Sequence, residues 1–113
     1  MSYRLEKINE LIKRELSKIL LQEGEFEPGT LVTVLKAQTT LDLREAAVFF
    51  SVLPTVKSER VFDNLSARIF FIQQLLNKKL RMRPVPRIRF VLNTAESESQ
   101  KIDGLLEKIK QTG

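Results

Sequence analysis

Residues 80–90 read LRMRPVPRIRF and carry Arg81, Arg83, Arg87 and Arg89, with Lys78 and Lys79 just before them and no acid among them. A guanidinium offers planar pairs of donors that match the oxygens of a phosphate or carboxylate, and an ammonium adds a compact charge. Pro84 and Pro86 stiffen the backbone between the arginines, so less loop and side-chain freedom is lost when an anion is engaged. The chemistry open to this stretch is therefore anion binding. Lys78 and Lys79 also suit the negative end of a preceding helix, a role that accounts for Lys79 in particular but not for Arg87 or Arg89.

Other chemistries lack their residues. The chain has no cysteine and no histidine, which removes thiolate ligands and nucleophiles, disulfides, and the commonest acid–base group near neutral pH. Its grouped carboxylates, Glu6/Glu10, Glu23/Glu25/Glu27 and Glu96/Glu98, read as helix-surface or loop residues, with nothing beside them to raise a pKa for general-acid work. No GxxxxGK phosphate loop is present. The expectation is a protein that is not an enzyme and needs no cofactor or metal.

The charge distribution sharpens the anion-binding reading. Of 113 residues, 19 are Lys or Arg and 14 are Asp or Glu, a net +5. Residues 1–57 hold eight of each sign, whereas residues 58–113 hold eleven basic and six acidic residues and so account for the whole excess. Such asymmetry points to nucleic acid before membrane; the plainer alternative is a solvated, solubilising surface. No apolar run approaches the roughly 18 residues of a membrane span, and the N-terminus lacks the apolar stretch of a signal peptide. A cytoplasmic protein without membrane contact is expected.

The elements that must hold these cations follow from periodicity. Leu5, Ile8, Ile12, Leu16 and Ile19 recur at three and four and predict a helix over 3–22. Arg4, Lys7, Arg14 and Lys18 share roughly 80° of arc beside that stripe and form a possible second basic edge. LVTVLKA (31–37) and AAVFFSVL (46–53) predict strands joined as a loose hairpin. Phe62, Leu65, Ile69, Ile72, Leu76 and Leu80 predict helix over about 58–80, and Asp63, Asn64 and Ser66 predict a bend near 63–67. RIRFVL (87–92) alternates, which puts Arg87 and Arg89 on one side of a strand. A last helix is predicted from Ile102, Leu105, Leu106 and Ile109, capped by Thr94 or Ser97. The order is α-β-β-α-α-β-α, with a β-α-β unit that favours a right-handed parallel crossover. Three strands need a cover; the helices supply it on one face and leave the other open. The adjacent pairs Phe49–Phe50 and Phe70–Phe71 predict that one ring of each pair points away from the core, where it could stack on unpaired bases.

At this point the chain resembles a family. RLEKINELIKRELSKIL, LVTVLKA, TLDLREAAVFFSVL and LRMRPVPRIRF followed by IDGLLEKI are similar, in order and spacing, to bacterial ribosome-binding factor A over about residues 4–110. The resemblance implies one K-homology-like RNA-binding domain over 1–113: an α+β fold of the second topological type, α-β-β-α-α-β plus a C-terminal helix. It implies a non-enzymatic factor, monomeric off the ribosome, that binds the small (30S) subunit and its 16S rRNA during late maturation and rRNA processing. It also implies RNA contact at a helix–bend–helix, which here falls on Ser66, Ala67 and Arg68. The family's bend carries Ala-x-Gly; the stretch Asn64–Phe70 has the alanine and no glycine. The expected RNA-binding residues are thus Lys78, Lys79, Arg81, Arg83, Arg87, Arg89, Arg68, Ser66 and Ala67, with Arg4, Lys7, Arg14 and Lys18 as the second edge. A protein-interaction module docking an acidic partner without RNA is the alternative from another class. A DNA-binding regulator has less support, because no helix-turn-helix spacing appears.

Overall fold

The computed structural model describes residues 3–93. Helix α1 (Tyr3–Glu23) is followed by strands β1 (Leu31–Thr39) and β2 (Glu45–Leu53), then helices α2 (Ser58–Ala67) and α3 (Ile69–Lys79), then strand β3 (Arg87–Leu92). The last predicted helix, with Ile102, Leu105, Leu106 and Ile109 on one face, lies outside the described residues. The sheet order is β1-β2-β3. β1 and β2 pair antiparallel; β2 and β3 pair parallel, with Ala46 opposite Ile88 and Val48 opposite Phe90.

The helices α1, α2 and α3 lie on one face of this sheet. Ala46, Val48, Phe50 and Val52 of β2, with Ile88 and Phe90 of β3, are buried there against Ile12, Leu16 and Ile19 of α1, Val61 and Leu65 of α2, and Ile72 and Leu76 of α3. Phe50 anchors the layer, stacked on Phe62 and edge-on to Phe90. Odd-numbered residues of β2 and β3, among them Phe49, Arg87, Arg89 and Val91, take the other face.

Three local features set this geometry. A bulge between Val34 and Lys36 reverses the alternation of β1, so Val34 and then Ala37 point inward. The β1–β2 loop is built on Asp42: its carboxylate accepts from the Thr40 hydroxyl (2.6 Å) and from the Arg44 N–H (3.1 Å). This arrangement carries Leu43 at φ 62°, a left-handed conformation rare for leucine, and packs its side chain against the core. The helix bend falls at Arg68, not within 63–67. Asn64 does not disrupt α2, because its amide donates to the Glu25 carbonyl (3.2 Å) and not to its own helix. Arg68 adopts φ −103°, ψ 10°, a region any residue reaches, so the bend needs no glycine.

Candidate nucleic-acid interface

The stretch between α3 and β3 is pinned from inside and cationic outside. Leu80 and Pro86 are buried, while Arg81, Arg83 and Pro84 are exposed. Gln73 of α3 fastens the far end: its amide donates to the Pro86 carbonyl (3.1 Å) and its carbonyl accepts from the Ile88 N–H (2.9 Å). β3 is an edge strand, and this side-chain clamp satisfies a backbone donor that faces away from β2. The backbone under Arg87 is thus held on both sides, because the Arg87 N–H also donates to the Arg44 carbonyl (2.8 Å). Gln73 is a positioning residue that sequence pattern alone does not single out.

The candidate cations do not share one face. Arg87 and Arg89 project from the open face of the sheet, since Ile88 and Phe90 between them are buried on the helix side. Lys78 and Lys79 are in the last turn of α3, in the helical layer, and both are exposed. The array therefore wraps around the β3 edge of the molecule, with Arg81 on the link. Arg83 folds back, donating to the carbonyls of Leu80 (2.7 Å) and Met82 (2.6 Å) and so closing the end of α3.

The bend residues behave differently from the array. Arg68 donates to the Glu23 carbonyl at the end of α1 (2.7 Å), and its guanidinium lies 5.2 Å from the centre of the Phe71 ring. Those contacts tie α1 to the bend. Ser66 and Ala67 are exposed at the end of α2. On α1, Arg14 and Lys18 both approach Glu15, at 3.5 and 3.3 Å, and Lys7 lies over the Tyr3 ring. Arg4 is exposed. The second edge thus carries its own counter-charge.

Electrostatically the α3–β3 stretch stands apart. From Asn64 to Asn93 there are seven Lys or Arg and no Asp or Glu. Elsewhere several cations are compensated: Arg44 pairs with Asp42, and Lys57 and Arg60 both pair with Glu27. Among the described residues no ion pair reaches Lys78, Lys79, Arg81, Arg87 or Arg89. Glu45, the register partner of Arg87 on β2, shares the open face without pairing to it. Arg89 borders two open clefts of about 510 and 550 Å³, one running to Asn9, Thr39 and Ala47, the other to Phe62 and Asp63.

Two carboxyls are shifted, and both downward. The Arg60 hydrogen bond, then Lys57, holds Glu27 below the usual carboxylate range. The Thr40 hydroxyl, then the Arg44 N–H, does the same for Asp42. This is the direction of a stabilised anion, opposite to that of a general acid. Among the described residues no group of three acidic, histidine or cysteine side chains is placed to hold a metal ion, and no helix is long and apolar enough to cross a membrane.

The family profile described as Ribosome-binding factor A matches residues 4–106. The chain belongs to the ribosome-binding factor A family. A relative from Akkermansia muciniphila is 34% identical over 109 residues, 96% of this chain and 86% of the relative. The fold is shared with the crystal structure of ribosome-binding factor A from Thermus thermophilus, at TM-score 0.67 and 22% identity over 80% of this chain and 97% of that one. It is also shared with a Thermus thermophilus homology model fitted into the cryo-EM map of a 30S complex, at TM-score 0.62 and 23% identity, covering 72% of this chain and 86% of that one. The α-β-β-α-α-β topology expected from the family likeness is the one observed. The helix–bend–helix expected with it is present too, made without the family's glycine.

Proposed function

We propose that this chain is a non-enzymatic, monomeric, cytoplasmic assembly factor, one K-homology-like domain that binds the small ribosomal subunit and its 16S rRNA during late maturation and processing. One observation carries the reading. The only long acid-free run of the chain holds seven cations; none of the seven has an ion-pair partner among the described residues, and only Arg68 and Arg83 are engaged, by backbone carbonyls. A cation kept out of ion pairs retains its full attraction for phosphate, and most of the affinity of a sequence-tolerant RNA binder is of that origin. Lys78, Lys79, Arg81, Arg87 and Arg89 are the phosphate contacts. Arg83 contributes its remaining donors, and Arg68, Ser66 and Ala67 adjoin the bend. Arg4, Lys7, Arg14 and Lys18 make a weaker edge, damped by Glu15. Family membership supports the ribosomal partner, as does the 30S complex in which the Thermus thermophilus relative was fitted.

A feature that favours protein docking instead is the apolar pair Leu31 and Leu53, register partners at one sheet end with 58% and 57% of their surface exposed. Sedimentation separates the readings. Added to a cell lysate at low salt, the protein is expected to travel with free small subunits and to leave them at high salt. A protein that stays at the top of the gradient, or that keeps its partners after nuclease treatment, contradicts the proposal.

A further inference from the structure

Phe70 and Phe71 sit in the first turn of α3 with 76% and 44% of their surface exposed, although the same helix buries Ile72 and Leu76. At about 100° per residue, Phe70, Gln74, Lys78 and Phe71 fall within about 100° of arc. One outward stripe therefore runs from two rings through an amide to a lysine. Phe71 already has the Arg68 guanidinium over it. Among the described residues neither an aromatic ring nor a cation lies on Phe70. A phenylalanine so exposed gains nothing from burial, so packing does not explain it.

We infer that Phe70 is a stacking platform for an unpaired base of a single-stranded RNA segment, whose phosphates run along α3 to Lys78 and Arg81. This rests on the RNA-binding reading above and adds what it lacks, a preference for unpaired over paired RNA. Charge complementarity selects the occupant. The ring lies inside the run from Asn64 to Asn93 that has seven cations and no acid, so a strand placed on the ring meets only attractive charge from that run. Lys78 lies about 12 Å along the helix axis from Phe70, by the rise of about 1.5 Å per residue, where a long side chain reaches the phosphates flanking the stacked base. Gln74 between them can hydrogen-bond a base edge or a ribose hydroxyl. Within an A-form duplex both faces of each base are already stacked, so paired RNA cannot use the ring.

The chain has no tryptophan, so F70W provides a single emitting indole at the platform. Binding of a 12-nucleotide oligoadenylate, an abasic strand of the same length and an A-form RNA duplex is measured at fixed salt for wild type, F70A, F70Y and F70W. Losing one stacked base predicts that F70A weakens oligoadenylate binding about 5- to 100-fold while F70Y and F70W keep it. Abasic strand and duplex are expected to bind wild type and F70A alike, and oligoadenylate alone to quench the F70W emission. Oligoadenylate affinity unchanged within twofold in F70A, or F70W emission unmoved at saturation, overturns the inference; if salt-dependent RNA binding persists in that case, the function proposed above stands without it. Absence of salt-dependent binding to all three probes overturns both.

Discussion

Gly24 leaves no room for a side chain. A Cβ placed there would run into the Leu20 carbonyl and the Phe26 ring, and the carbonyl is fixed because it accepts the Gly24 N–H at 3.0 Å. Gly24→Ala is therefore expected to lower the unfolding free energy by about 1–3 kcal/mol, read from urea denaturation; an unchanged midpoint contradicts the packing described for the end of α1. Glu27 gives a prediction in pH. Its folded-state pKa is depressed by Arg60 and Lys57, so the stability it contributes is fully present above the unfolded value, about 4.3, and is lost as pH falls through the lower folded value. Unfolding midpoints of wild type and Glu27→Gln should differ at about pH 6 and draw together as pH falls below the unfolded value and through the lower folded one. A difference that stays constant across that range would mean that Glu27 acts through something other than its charge.

At the scale of elements, Gln73 joins α3 to β3. Gln73→Ala leaves the Ile88 N–H and the Pro86 carbonyl without their partner, and each partly buried group so exposed costs about 1–3 kcal/mol. A loss of about that size, with weakened RNA binding through a looser Arg87, is expected from thermal unfolding and filter binding; full stability in the variant would show that water replaces the clamp at no cost. Elements with an unbroken period were legible in the sequence. The stripe from Leu5 to Ile19 defines α1 almost to its ends, and the alternation in RIRFVL puts Arg87 and Arg89 on one side, as found. Features set by distant partners were not legible. The bulge in β1 has no glycine to mark it, and α2 runs on through Asn64 to Ala67 with the Asn64 amide engaged by a carbonyl of the loop between α1 and β1, distant in sequence. The two phenylalanine pairs show the same limit. On a strand, neighbours take opposite faces, so Phe50 is buried and Phe49 half-buried on the other side. On a helix, neighbours differ by only about 100°, and both Phe70 and Phe71 fall in the solvent arc.

At the scale of the whole molecule, the helices cover one face of the sheet, and the uncompensated cations run from the end of α3 around the β3 edge to the open face. A convex, wrapped distribution fits an extended polyanion that contacts two sides better than a small anion held in a pocket. That the stretch 78–89 is basic was legible in composition. That Arg83 and Arg68 are occupied by backbone carbonyls, and that Arg14 and Lys18 share Glu15, was not, because those partners are set by the fold or by local rotamers. The central claim is that the cations without ion-pair partners neutralise RNA phosphates. Its most direct test is the salt dependence of binding to a 16S rRNA fragment, for wild type and for the double variants Lys78→Ala/Lys79→Ala and Arg87→Ala/Arg89→Ala. About four to six neutralised phosphates predict a log–log slope of roughly −3 to −5 in wild type, reduced in magnitude by about 1–2 in each double variant. A flat response in wild type, or the wild-type slope retained in both variants, would contradict the account.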